Sequence, residues 1–254
     1  MKTSIMSGDM MTGFLAGKTT HNAVSGFSVG VLIVDTSHPL LPGNVQNARS
    51  FDFPIIYEIV HGITFHDLMD ASSACDEPIR EAVERLEARG VSVILGACGS
   101  FGHWQKRITQ YANIPVYVSI MIQVPFVISG LPSEQNLGVV FANPDAFTQR
   151  LKDECGISEA DSERMVIVGA DTIPAFDQLY EKGTEADARA LEQDIVALCM
   201  KAGEENPDIG AWLFQCSELP VYAAAVQEAT GLAVFDMAVL IDHLYRVATR
   251  TRYA

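Results

Sequence analysis

Two cysteines are placed where they could do chemistry. Cys98 lies in Leu95-Gly96-Ala97-Cys98-Gly99-Ser100-Phe101-Gly102, and Cys216 lies in Leu213-Phe214-Gln215-Cys216-Ser217-Glu218-Leu219-Pro220. Each follows an apolar run of strand type and precedes a stretch of helical pattern. A loop of backbone amides at a helix start favours negative charge, so a cysteine there is expected to have its thiolate stabilised. A thiol has a reference pKa of about 8.5, so modest local fields let acid and base forms coexist near neutral pH. Two such groups on opposite faces of a carbon acid could remove a proton from one side and return one from the other. That is inversion by a two-base mechanism.

The elements that would hold these cysteines follow from the hydrophobic pattern. Apolar runs at 30–35, 55–60, 91–95 and 114–119 read as buried parallel strands, with helices at 78–89 and 103–111. A second series has strands at 136–142, 165–170, 211–215 and 233–236. Its helices are 144–154, 173–180, 184–202 with Thr184 as N-cap, 221–230 and 237–248; Gly156 and Gly231 act as stops. The segment 120–129 also reads as helical despite Pro125. The alternation gives an α/β fold of two similar Rossmann-like lobes with parallel sheets, a pseudo-twofold and an active site in the cleft between lobes. The first lobe is expected to comprise 1–126 plus 231–254 and to carry Cys98; the second comprises 127–230 and carries Cys216. Residues 1–25 read as an irregular extension. Within it, Gly13, Gly17, Lys18 and Thr19 lack the spacing and preceding strand of a phosphate-binding loop.

Composition limits the partners. The chain has 254 residues with 32 acidic against 17 basic side chains, a net charge of −15. That balance argues against nucleic acid or an anionic membrane surface as main partner. No run of 18 apolar residues is present, so no membrane partner is expected. Five cysteines at wide spacings, without a C-x-x-C pair, point to a reduced, cytoplasmic protein without a zinc site. Cys75, Cys155 and Cys199 read as structural. His38, His61, His66 and His103 are scattered and read as surface or satisfied core histidines, with His61 and His66 the two that could reach the cleft.

From about Gly30 to Leu244 the sequence resembles the cofactor-independent aspartate/glutamate racemase superfamily, which includes hydantoin racemases. Cys216-Ser217-Glu218 is similar to that family's second motif, Cys-Thr-Glu or Cys-Thr-His. Val34-Asp35-Thr36-Ser37 resembles the Asp-Ser that ends its first strand. The resemblance implies that Cys98 and Cys216 are the acid/base pair. It also implies substrate contacts or supporting roles for Asp35, Thr36, Ser100, Ser217 and Glu218; Asn44, in the loop after the first strand, and Gly99 join them as expected substrate-binding positions. The implied activity is a racemase or epimerase acting on an amino acid such as aspartate or glutamate, or on a hydantoin-like derivative, with no pyridoxal phosphate and no metal. Cys98-Gly99-Ser100 departs from the Cys-Asn-Thr of amino-acid racemases, which bears on the substrate, a small carboxylate or amide. The alternatives are a one-cysteine decarboxylase or cis-trans isomerase of the same superfamily, or a non-catalytic small-molecule binding protein. The resemblance is compatible with a homodimer.

Overall fold

The computed structural model describes residues 26–35, 40–182 and 187–250. Thr36, the extension 1–25 and Thr184 lie outside them. Among the described residues the strands form two parallel sheets. The first contains β1 (Val29–Ile33), β2 (Ile55–Ile59), β3 (Val93–Gly96) and β4 (Val116–Tyr117) in the order β2-β1-β3-β4. The second contains β5 (Asn136–Phe141), β6 (Met165–Gly169), β7 (Ile209–Phe214) and β8 (Ala233–Phe235) in the order β6-β5-β7-β8. The same order recurs in both, which is the expected α/β fold of two similar parallel-sheet units.

The helices are α1 (Phe65–Met69), α2 (Asp76–Ala88), α3 (Gln105–Thr109), α4 (Val124–Gly130), α5 (Gln149–Cys155), α6 (Glu159–Glu163), α7 (Pro174–Lys182), α8 (Ala188–Glu205), α9 (Ala223–Thr230) and α10 (Met237–Ala248). Gly156 and Gly231 end α5 and α9 at φ 74° and 69°, a left-handed conformation that glycine adopts without a Cβ penalty. Thr64 with Asp67, and Ser158 with Asp161, form capping boxes that start α1 and α6. Asp187, rather than Thr184, caps α8.

The strands read as continuous apolar runs because both of their faces are buried. Successive side chains point to opposite faces. Thus Val29, Val31, Val93 and Leu95 join Leu137, Val139, Phe141, Ala211 and Leu213 in one core shared by the two sheets. Their alternates divide between two outer cores. Leu32 and Ile94 pack under α2 with Ile79, Val83 and Leu86. Val140, Trp212 and Phe214 pack with Leu191, Ile195 and Cys199 of α8.

Three boundaries differ from expectation. Residues 231–254 do not all join the first lobe: β8 pairs with β7 in the second sheet, while α10 buries Met237, Leu240, Ile241 and Leu244 in the shared core. The strand expected at 114–119 shortens to β4, since Pro115 has no N–H to give a ladder and Ser119 already caps the next turn. The helix expected at 103–111 is α3 preceded by a 3-10 turn, Gly99–Trp104, whose residues are all buried.

Candidate active site

In a sheet of order 2-1-3-4 the crevice opens at the carboxyl ends of the first and third strands, where the connections diverge to opposite sides. Cys98 and Cys216 stand at that place in their respective sheets. The backbone makes the equivalence explicit. Ala97 N–H donates to the Leu32 carbonyl at 2.8 Å, extending β3 by one bond to the central strand; Gln215 N–H donates to the Val140 carbonyl at 2.9 Å, extending β7 likewise. In each case the next residue is the cysteine.

The two turns meet. A Cβ built on Gly99 would lie 2.3 Å from both the carbonyl oxygen and Nε2 of Gln215. Only a residue without a side chain fits there, so Gly99 serves the close approach of the Cys98 turn to the Cys216 turn. The Gly99 carbonyl is held from behind by Ser119 Oγ at 2.8 Å. Cys98 is half-buried and Cys216 is buried; all five cysteines are free thiols.

Burial raises the Cys98 thiol above its ordinary value. The N–H and hydroxyl of Ser100 and the N–H of Phe101 oppose that, and the Glu218 carboxylate adds to it. Cys216 is raised further by burial, by Glu218 and by Cys98, against one bond from the Glu218 N–H. The amides anticipated around Cys98 are present, but the expected net stabilisation of its thiolate is corrected: desolvation outweighs them. Both cysteines therefore rest as thiols, and of the two Cys98 is the better equipped to become a thiolate.

The other expected site residues divide. Asn44 is fully buried, and its Nδ2 donates to Glu218 Oε2 at 2.5 Å across 174 positions of sequence. Its Oδ1 accepts from the Gln46 N–H at 2.7 Å, which fixes the orientation of the amide. Ser100, Ser217 and Glu218 are buried at the two turns. Asp35 is exposed beyond the end of β1. His61 is exposed in a surface groove lined by Glu77, Pro78, Glu81 and Arg85, and His66 is exposed on α1. Cys75 and Cys199 are buried elsewhere, pushed up by burial to about 11 and about 12, and Cys155, pushed up to about 12, lies with its sulfur 3.7 Å from the Gly102 carbonyl in the turn after Cys98. Among the described residues no group of three His, Cys, Asp or Glu side chains could hold a metal ion. Nor is any helix among them long and apolar enough to cross a membrane.

Sequence reasoning missed two supports. Gln215 was visible as the one polar residue ending an apolar strand. His103 is a satisfied core histidine, as expected, but its partners matter. Its Nδ1 lies 2.9 Å from the Ser100 carbonyl, and its Nε2 lies 2.9 Å from Thr148 Oγ1. A carbonyl can only accept, so Nδ1 carries the proton and the neutral ring accepts from the threonine hydroxyl. Burial keeps His103 below its ordinary pKa, consistent with that neutral form. Thr148 caps α5, and from α5 Arg150 Nε donates to the His103 carbonyl at 3.0 Å. The Cys98 turn is thereby tied to the second half of the chain.

Comparison with known proteins adds to this geometry. The chain is 31% identical over 225 residues to a dimethylsulfoniopropionate lyase from Durusdinium sp. clade D, covering 86% of this chain and 74% of that protein. The chain belongs to the dimethylsulfoniopropionate lyase family. It is 32% identical over 219 residues to dimethylsulfoniopropionate lyase 6 of Emiliania huxleyi, covering 82% of this chain but 56% of that one. The chain thus spans little more than half the length of that relative. No family model matches the sequence.

Solved structures share the fold, and they include racemases of the kind the sequence resemblance implies. A mutant of arylmalonate decarboxylase superposes with TM-score 0.59 at 18% identity, covering 89% of this chain and 95% of that one. Allantoin racemase from Klebsiella pneumoniae gives 0.57 at 13% identity, with the same coverage. Glutamate racemase from Bacillus anthracis gives 0.54 at 13% identity, covering 87% of this chain and 82% of that one. The relatives by sequence carry the name of a lyase, whereas the racemases among these neighbours share the fold alone.

Proposed function

We propose that the protein is a lyase that cleaves a dimethylsulfoniopropionate-type substrate by elimination. One observation carries the reading: two thiols at equivalent strand ends are brought together by the Gly99–Gln215 contact in a chain whose relatives by sequence are named for that substrate. The substrate is a carboxylate whose β-carbon bears a positively charged sulfur. Its α-proton is weakly acidic and its β-substituent leaves as a neutral sulfide.

The Cys98 thiolate, once formed, takes the α-proton. The electron pair of that C–H bond becomes the Cα–Cβ double bond, the Cβ–S bond breaks, and its pair leaves on dimethyl sulfide. The other product is acrylate. Atoms and charge balance without an oxidant or a second proton donor. Cys98 is the base because the Ser100 and Phe101 groups hold its anion. Cys216, raised further, stays a thiol facing the substrate. Ser217 and Glu218 are the substrate contacts of this reading, whereas Ser100 serves Cys98, Asn44 holds Glu218 and Gly99 provides space. A proton-transfer role for one positioned group contributes about 10²–10⁴-fold.

The test is headspace measurement of dimethyl sulfide from the purified full chain, with Cys98→Ser and Cys216→Ser alongside. Cys98→Ser is expected to lower kcat by at least about 10²-fold. Full activity in that variant overturns the assignment.

A second reading is inversion of a carbon acid by both thiols, favoured by their equivalent placement. It is tested by incubating single enantiomers of aspartate, glutamate and hydantoins in D₂O. Deuterium uptake with inversion, lost in either cysteine variant, would make the protein a racemase instead.

A further inference from the structure

Gln215 follows directly on β7, which its N–H extends by one bond to Val140. Along that strand Ala211 and Leu213 enter the core shared by the two sheets, and Trp212 and Phe214 enter the outer core. Successive side chains alternate, so position 215 belongs to the shared side, at its carboxyl end. Ala97 holds the equivalent position after β3 and is a 1% exposed member of the shared core. Gln215 puts an amide where the first sheet has a methyl group, and it is itself only 5% exposed. The amide lies against Gly99, the residue that follows Cys98.

Among the described residues this amide has no hydrogen-bond partner. Nor is it sealed off: among those residues the side-chain polar atoms shut away from solvent without a partner are Arg150 Nη2 and Trp212 Nε1. The Gln215 amide therefore faces the opening between the two turns. Leaving a buried amide unpaired costs free energy that an apolar side chain of the same size would not incur. A polar ligand between the turns offsets that cost.

We propose that Gln215 is a substrate-orienting residue, whose amide donates to the carboxylate of the bound molecule and so presents the neighbouring carbon to Cys98. The proposal deepens the elimination reading, from which it takes the carboxylate. As Cys98 removes the α-proton, part of the charge of that electron pair passes to the carboxylate oxygens. A donor already aimed at them is worth more in the transition state than in the ground state. Ala97 offers no such donor, so the pseudo-twofold of the strands does not extend to the site. The ligand is held from the Cys216 strand alone, which gives it one orientation and assigns the reacting carbon to one of the two thiols.

The experiment pairs binding with stability. Propionate is titrated by calorimetry into the full chain as wild type, Gln215→Met and Gln215→Leu, and each protein is unfolded in urea. Both replacements remove the polar atoms at similar volume. Because the amide serves no partner within the protein, both variants are expected to unfold at the wild-type urea midpoint or above it. Propionate is expected to bind them at least about tenfold more weakly. In dimethyl sulfide release kcat/KM is expected to fall by about 10²-fold, with part of the loss in kcat. A residue that merely supports the fold would lower the midpoint and leave propionate affinity alone.

A lowered midpoint in both variants overturns the proposal, and so does wild-type propionate affinity in either folded variant. Failure of the wild type to bind propionate overturns it as well. Absence of dimethyl sulfide release from a wild type that binds propionate through Gln215 is a separate result and falls on the lyase reading alone.

Discussion

Replacing Gly99 by alanine probes the contact on which the whole site depends. The new methyl would lie 2.3 Å from Gln215 Nε2 and from the Gln215 carbonyl oxygen, and 2.5 Å from its Cδ. The amide end of a glutamine side chain can swing away; its backbone carbonyl cannot, because the Gln215 N–H is bonded to Val140 in the sheet. Ordinary van der Waals contact begins near 3.4 Å, so the two turns must separate by about 1 Å. Overpacking of this kind costs about 1–3 kcal/mol. Loss of glycine's freedom in the unfolded chain returns about 0.4–1 kcal/mol. The net expectation is a destabilisation of about 0.5–2 kcal/mol, read by urea denaturation. The effect on chemistry is larger. The displacement falls between the two thiols, and misplacement of reacting groups by about 1 Å can lower the rate about 10²-fold. Gly99→Ala should therefore be a largely folded protein with dimethyl sulfide release reduced by about two orders of magnitude. Wild-type stability together with wild-type activity would mean that the turns do not meet at Gly99, and would remove the basis for pairing the thiols.

Two further outcomes can be checked. Asparagine at position 103 places an amide N–H where His103 Nδ1 stands, whereas glutamine places one near Nε2. His103→Asn should keep the pH profile of Cys98 alkylation close to wild type, and His103→Gln should move it to higher pH as the Ser100 turn loses its anchor; identical profiles would deny His103 a positioning role. Cys199 lies within α8, and burial holds it at about 12 against an ordinary 9.0. A folded-state pKa raised in this way gives stability that is complete below the unfolded value and is lost as pH rises toward 12. Cys199→Ala should therefore flatten the fall in stability above about pH 9 by about 1.4 kcal/mol per pH unit, measured by denaturant titration at several pH values.

Much of this architecture is legible in the sequence, for physical reasons. Strands buried on both faces leave unbroken apolar runs, so β1, β3, β5 and β7 stand out; α10 is legible because Asp236 caps it and its apolar positions keep helical spacing. The two cysteines are legible because each stands at an equivalent strand-to-helix join. The Asn44–Glu218 bond is not legible, since 174 residues separate its partners and nothing local to either names the other. The 3-10 turn after Cys98 is hidden because its residues are apolar and small, a pattern also compatible with the start of an α-helix. The failure at β8 has the same origin as the success elsewhere. Its three-residue length identifies a strand but not which sheet it joins. The expected stabilisation of the Cys98 thiolate does not hold, because the sequence displays the amides and not the depth of burial.

The core that lies between the sheets has a consequence for motion. Side chains of β1, β3, β5 and β7 fill it together, and α10 seals it. Two lobes that share their interior cannot swing apart as a jaw without exposing that interior to water. A halfway state with one lobe intact would be similarly penalised, so the chain is built to melt as one body and to admit its ligand through small adjustments at the sheet ends. The spacing of the two sulfurs is then set by the interior of the protein rather than by a hinge.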